Sequence, residues 1–429
     1  MEKTQSNKVQ KILFWTTIAF TVIFALASYF LFILQSGRVF SDFAETLSYC
    51  IVKNPYSGEY ANIHSIYPPF AYLPFYLFAL IAKKPISAYL AGEFTLSQLC
   101  DQPTFILSFV LFFVLCLAVV LFLAAKISKF KGKKLAYLLI CITLFSPILY
   151  SFVRGNNIIS ALILIMLFFW LYNSEKRWHR EIANLCLAGA IAIKIYPILI
   201  ILFFIKDRRF LDLLKTIGYA LVLLFIPFLL VEGGFGNIKH IWNNFTKFNS
   251  GESRQLNKTN ISLDALASSI SLTLADWTGS NMDGLYSILS KILRFGLVLS
   301  TIVTFILSKK SKLIMQTILL SLLTYELFMG VSYSYTLIFL TIPIIYFLKD
   351  FDNYSLFDKL FYGICFLFIA CPIFACIKDF RLIRYVLLIL AVKAIVDLII
   401  DFSRQRKIKK QTNQSEQTQN IEPEVQENV

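Results

Sequence analysis

The run Ile12-Leu-Phe-Trp-Thr-Thr-Ile-Ala-Phe-Thr-Val-Ile-Phe-Ala-Leu-Ala-Ser-Tyr-Phe-Leu-Phe-Ile-Leu34, followed shortly by Val39-Phe-Ser-Asp42-Phe-Ala-Glu45, decides how this chain is read. The first piece is apolar almost throughout and reaches the length of about 20 residues that a helix needs to cross a bilayer. It is too long for a signal h-region and lacks a small-residue cleavage site, so it reads as a retained span. Lys3, Lys8 and Lys11 in front of it place the N-terminus in the cytoplasm. The second piece sets carboxylates where the chain leaves the bilayer. Beyond it come Asn54-Pro-Tyr-Ser-Gly-Glu-Tyr60 and Ile66-Tyr-Pro-Pro-Phe-Ala-Tyr-Leu-Pro-Phe75. An acid at the foot of a span, aromatic turns and a Pro-Pro helix suggest chemistry at a membrane surface rather than a connecting loop.

Composition widens that reading to the whole chain. The 429 residues are 57% hydrophobic and only 16% charged, with 42 Phe, more apolar surface than a soluble fold can bury. Only helices and closed barrels satisfy the backbone in lipid, and the apolar runs do not alternate as barrel strands do. The fold class is therefore an all-α polytopic membrane protein. Further apolar runs cover 104–125, 135–151, 158–172, 211–231, 286–307, 313–330, 335–348, 360–377 and 382–400, which predicts a bundle of about 10–12 transmembrane segments. Residues 1–410 form one domain, and the polar stretch 411–429 reads as a disordered cytoplasmic tail.

The net charge of +15 resides in short clusters at 126–134, 176–180, 206–215, 309–312 and 404–410. This is the ordinary signal for cytoplasmic loops and gives no reason to invoke nucleic acid. The eight Cys are scattered; Cys50 and Cys100 fall on the outer side and read as free thiols rather than a pair. His64, His179 and His240 are too dispersed for a metal cluster. No phosphate-cradling Gly loop and no dinucleotide fingerprint is present.

Threading the runs through the basic clusters isolates two segments. Residues 67–82 are apolar but short and open on Pro68-Pro69; if they crossed, 126–134 would land outside. They are expected to lie along the outer interface, a juxtamembrane helical region after the first span. Residues 182–205 are flanked by inside clusters at both ends and carry Ile193-Lys-Ile-Tyr-Pro197 in their middle. A broken hairpin with its tip at Lys194 accounts for both facts and faces an ammonium toward a cavity instead of lipid. The outer side then holds the first loop, 35–103, the turn around 152–157, the tip near Lys194 and the large loop, 232–285.

Asp42 is the candidate catalytic acid, although an isolated outer-loop acid is more often a solvated group. Glu45 stands one helical turn on, as a partner or a polar face residue. Arg154, in Phe152-Val-Arg-Gly-Asn-Asn157, sits at a tight bend that Gly155 permits, where a forked phosphate contact competes with snorkelling to headgroups. Lys194 is harder to dismiss, since a lone Lys in an apolar run is costly unless it serves something. Tyr56, Tyr67, Asn156, Asn157, Tyr196, Asn260 and Tyr333 are candidate lining residues, though aromatics at this depth are more often an interface belt. The large loop adds Arg254, Lys258 and Ser262. Asn244-Phe-Thr246, Asn257-Lys-Thr259 and Asn260-Ile-Ser262 match the glycosylation sequon, a pattern short enough to arise by chance.

The order of these motifs resembles the GT-C class of integral-membrane glycosyltransferases: an acid and Phe after the first span, Pro-Tyr, Tyr-Pro-Pro, Arg-Gly-Asn at an outer turn, Lys-Ile-Tyr-Pro in a broken hairpin. It is similar in particular to the polyprenyl-phosphate-mannose-dependent mannosyltransferases of family eighty-seven, and more weakly to the GPI mannosyltransferase I catalytic subunit. The resemblance covers residues 12–209 well and the remainder loosely. It implies inverting transfer of a hexose from a polyprenyl-phosphate sugar to a lipid-linked or envelope glycan acceptor, on the outer face of a bacterial plasma membrane. It further implies that Asp42 is the general base and that Arg154 and Lys194 bind the donor phosphate. Many relatives carry Gly-Gln-x-Asn where this chain has Arg154-Gly-Asn-Asn157. The GPI enzymes show two acids one residue apart, where here Ala44 follows Asp42-Phe43, so no metal or other cofactor is expected. A transporter, flippase or polymerase of lipid-linked saccharides is the alternative; transporters are commonly built from repeats, and none is evident.

Overall fold

The structure, a computed structural model, describes residues 15, 40–58, 64–252, 259–308, 311–371 and 381–421, without the side chains of 196, 248–252, 409–410 and 413–421. Apart from Trp15, the first apolar run lies outside the described residues, as do Arg254, Asn257 and Lys258. Helices account for all repetitive structure among those described, and one isolated bridge joins Asn260 to Tyr333. The chain is an all-α polytopic membrane protein.

Helix α1 (Ser41–Ile51) begins at Phe40, which adopts φ 63, an uncommon conformation for a bulky residue. Its N–H donates to Val153 O at 3.1 Å, and its ring packs at 4.4 Å from that of Phe109. The left-handed residue thus turns α1 toward the segment carrying Arg154. After α1 come a 3-10 helix, Pro69–Phe75, and short helices Tyr76–Ile81 and Lys83–Leu90, which pack against α1. The apolar stretch Pro69–Ile81 is too short to cross a bilayer alone, as expected of a juxtamembrane region.

Helix α2 (Pro103–Ser128) is long and apolar enough to span. The expected single span over 135–151 is instead α3 (Gly132–Thr143) and α4 (Ser146–Arg154), bent by 53°. Pro147 sits in the first turn of α4, where its ring and missing N–H stop the preceding helix from continuing. Helices α5 (Ile158–Leu171) and α6 (Arg177–Ile193) pack together, and α6 also packs on α7 (Phe210–Phe225). The expected break falls at Lys194, extended at φ −144, ψ 131; the chain resumes as a 3-10 helix, Tyr196–Ile201, with Pro197 in its first turn.

The segment after α7 carries α8 (Asn237–Glu252) and α9 (Leu263–Thr278), followed by α10 (Asp283–Leu307). Helix α11 (Ile314–Phe328) is buried on every face from Met315 to Leu327, as expected for a helix enclosed by others. It packs against α10, the Tyr196–Ile201 turn and the last helix. A 3-10 helix, Ser334–Leu340, leads into α12 (Thr341–Lys349); α13 (Leu356–Ala370) and α14 (Arg381–Ile421) complete the bundle. Helix α14 continues into the stretch read as tail; the Gln and Glu there are sound helix formers. By length and composition three helices can cross a membrane unaided, four if the bent α3–α4 pair counts as one. Several buried helices, α5 and α11 among them, are shorter.

At two of the three sequons, taken above as chance matches, the Asn amide is engaged within the protein. Asn244 Nδ2 donates to Tyr56 O and Ser65 O, and Asn260 Nδ2 donates to Gly330 O while Asn260 is 1% exposed. Both amides hold the fold together and present no site for a glycan. Cys50 and Cys100 are free.

Gly155 closes α4 at φ +65, and a Cβ there would lie 2.4 Å from Phe43 Cβ. Both atoms are close to backbone, so neither can swing aside. Gly155→Ala is expected to cost about 1–2 kcal/mol in left-handed strain and roughly 1–3 kcal/mol in overpacking. A lowered unfolding temperature in detergent, together with lost activity, is the expected result; an unchanged temperature would mean that α1 does not press on this turn.

Candidate active site

Three helix ends, the start of α1, the C-terminal end of α4 and the start of α5, meet at Asp42. Asp42 lies in the first turn of α1, where the helix dipole favours a negative charge. Arg154 grips it with a fork: Nε donates to Oδ2 at 2.7 Å and Nη2 to Oδ1 at 2.5 Å. Asn156 adds Nδ2 to Oδ2 at 2.6 Å. The Asn156 amide orientation follows from its other end, where Oδ1 accepts the Ile158 N–H at the head of α5. The side chains of Arg154 and Asp42 are 19% and 13% exposed, so this is a largely enclosed, charge-assisted pair. Nothing in the sequence offered Asp42 such partners.

Aromatic rings complete the enclosure. Arg154 Cζ lies 5.7 Å from the Tyr150 ring and 5.5 Å from that of Tyr335. Lys194, 4% exposed, places Nζ 5.0 Å from the Tyr67 ring and 5.2 Å from the same Tyr335 ring, and donates to Tyr67 Oη at 3.4 Å. Tyr335 thus stands between the two cations, with Tyr333 stacked on it at 5.8 Å. Asp42, Arg154 and Lys194, widely separated in sequence, converge on one cluster.

Glu45 is exposed by surface area yet has protein around most of its carboxyl. That enclosure pushes its pKa upward. The Tyr49 hydroxyl, which donates to it, works in the opposite direction, and the negative charge of Asp42 adds to the rise.

The other candidate residues divide between the cluster and its scaffold. Tyr56 is 1% exposed, donates to Tyr67 O and packs on Phe228, so it props the loop. Asn260 accepts the Ser262 and Ser332 N–H groups and pins the turn that carries Tyr333. Asn157 is 2% exposed, and neither of its amide atoms has a partner among the described residues. Tyr196 opens the turn after Lys194, and its side chain lies outside those described.

Two cluster residues escaped the sequence reading, Tyr150 and Glu326. Glu326 is 1% exposed on α11 and accepts at Oε2 from Ser332 Oγ at 2.8 Å and from the Thr336 hydroxyl. A lone acid inside the apolar run 313–330 is as costly as Lys194 in its own run, and this signal would have found it.

An all-helical membrane bundle holding a carboxylate and two cations at one end of its helices is an arrangement that a membrane glycosyltransferase can use. The family model of glycosyltransferase family 87 matches residues 66–329, more than half of the chain, which therefore belongs to that family. The match contains Arg154, Lys194 and Glu326, while Asp42 and Glu45 precede it. No curated protein matches the chain.

Proposed function

We propose that this glycosyltransferase moves a hexose from a polyprenyl-phosphate sugar to a lipid-linked or envelope glycan acceptor on the outer face of the membrane, with inversion. The observation that carries the reading is the meeting of Asp42, Arg154 and Lys194 in one enclosed cluster. An acceptor oxygen attacks the anomeric carbon, the bond from that carbon to the phosphate oxygen breaks, and its electron pair leaves with the phosphate. The acceptor proton passes to Asp42. The cations at Arg154 and Lys194 offset the charge growing on the departing phosphate.

The grip of Arg154 on Asp42 gives this scheme an order. Both Asp42 carboxylate oxygens are engaged in the structure, by the forked guanidinium and by the Asn156 amide. An arriving phosphate competes for the same fork. Arg154 turning to the phosphate steadies the leaving group and frees the Asp42 oxygens for the acceptor proton. The helices support the outer-face reading: α3 and α6 start beside the basic clusters at 126–134 and 176–180, and α4 and α6 end at Arg154 and beside Lys194. Basic clusters on the cytoplasmic side would set this cluster on the opposite one.

Purified protein given a short-chain polyprenyl-phosphate mannose should transfer the sugar and release polyprenyl phosphate, and should ignore the same sugar on a nucleotide. Use of the nucleotide sugar alone would overturn the donor assignment.

A further inference from the structure

We propose that Glu326 is a positioning residue of the transfer site, the buried counter-charge that holds Lys194 as an ammonium ready for the donor phosphate. The proposal rests on the reading of Lys194 given above. Glu326 is fixed on one side only: Oε2 takes the hydroxyls of Ser332 and Thr336, while Oε1 meets no hydrogen-bond donor among the described residues. An ionised oxygen left unbonded in so dry a place is expensive unless a positive charge lies within reach.

The geometry brings the segments that carry Lys194 and Glu326 together. Thr336 bonds Glu326, and its neighbour Tyr335 lays its ring 5.2 Å from Lys194 Nζ. The turn Tyr196–Ile201, which begins just after Lys194, packs on α11, the helix of Glu326. The charged groups that act on Lys194 are Asp42 and Glu45 from α1, Arg154 from the end of α4, and Glu326 from α11. Asp42 is occupied by Arg154, and Glu45 by Tyr49. Glu326 is therefore the acid whose remaining oxygen can serve Lys194.

Glu326→Gln keeps the shape and removes the charge, so the ammonium becomes harder to hold as pH rises. Activity against pH, with polyprenyl-phosphate mannose as donor, should match wild type at low pH. The alkaline fall should begin earlier by on the order of one pH unit, through a higher KM for the donor. In Lys194→Arg, whose guanidinium keeps its proton throughout, adding Glu326→Gln should not move the alkaline limb. An equal loss at every pH, the mark of a merely structural role, or no loss at any pH would overturn the proposal. If Glu326→Gln yields no folded protein, Glu326→Asp replaces it; its shorter arm draws the charge back, and the limb should move the same way by less. An unmoved limb there would also overturn the proposal. The two readings fail differently: a fully active Lys194→Met removes the role of Lys194 itself, whereas an impaired Lys194→Met beside an unshifted Glu326→Gln removes only Glu326.

Discussion

Asp42→Asn is expected to cut sugar transfer by about 10²–10⁴-fold, the usual loss when a positioned base is removed. The structure adds a second expectation that the sequence alone did not hold. Asp42 accepts four hydrogen bonds, two from Arg154, one from Asn156 and a longer one from Ser41 Oγ at 3.3 Å. Asn offers one acceptor oxygen and sets an NH2 group against donors that previously met a carboxylate. Removing one partner of a buried ion pair costs roughly 3–5 kcal/mol, and the partial exposure of both side chains here reduces that figure. A lowered unfolding temperature should therefore accompany the kinetic loss. Stability and chemistry are separated by the product: polyprenyl phosphate should bind Asp42→Asn at least as tightly as wild type, because Arg154 no longer has a carboxylate competing for its fork. Turnover within a few-fold of wild type would remove Asp42 from the mechanism. Weaker binding of polyprenyl phosphate would mean that the variant lost its site and not only its base. Glu45→Gln, which leaves the forked pair in place, should be milder.

Much of this architecture was legible because its causes are local. Apolar runs and basic clusters are one-dimensional signals, so the helical membrane class and the break at Lys194 followed from composition and from one Lys and one Pro. Ser146-Pro147 carried an equally local signal for the bend inside 135–151 that the run's overall apolarity concealed. The site was legible as a set of residues and not as a set of bonds. Arg154 and Asp42 are 112 positions apart, and nothing near either residue says that the cation spends itself on the acid before any phosphate arrives. The device that joins them, Phe40 at positive φ donating to Val153 O with Gly155 accepting the close approach of Phe43, is invisible without coordinates. Tyr335 opens the apolar run 335–348, and its position between two cations depends on how the turn before that run folds back on α4.

Lys194→Met should be the more selective lesion, because it changes charge in a place that tolerates apolar volume. Lys194 is 4% exposed, so an unbranched apolar side chain fits the same path and removes a charge that was costly to bury. On the proposed function, what the variant loses is the contact with the leaving phosphate. A hydrogen bond to a charged group is worth about 1.5–3 kcal/mol, which corresponds to a fall of roughly 10- to 150-fold in kcat/KM for the lipid donor. Arg154 remains in place, so some transfer should survive, in contrast to Asp42→Asn. Arg154→Lys should in turn do more harm than its conserved charge suggests, since one ammonium cannot span both carboxylate oxygens or both phosphate oxygens as the fork does. The measurement is the dependence of transfer on the concentration of short-chain polyprenyl-phosphate mannose for wild type and both variants, with acceptor held constant. A Lys194→Met enzyme that saturates with lipid donor as wild type does would show that the ammonium serves the fold and not the phosphate.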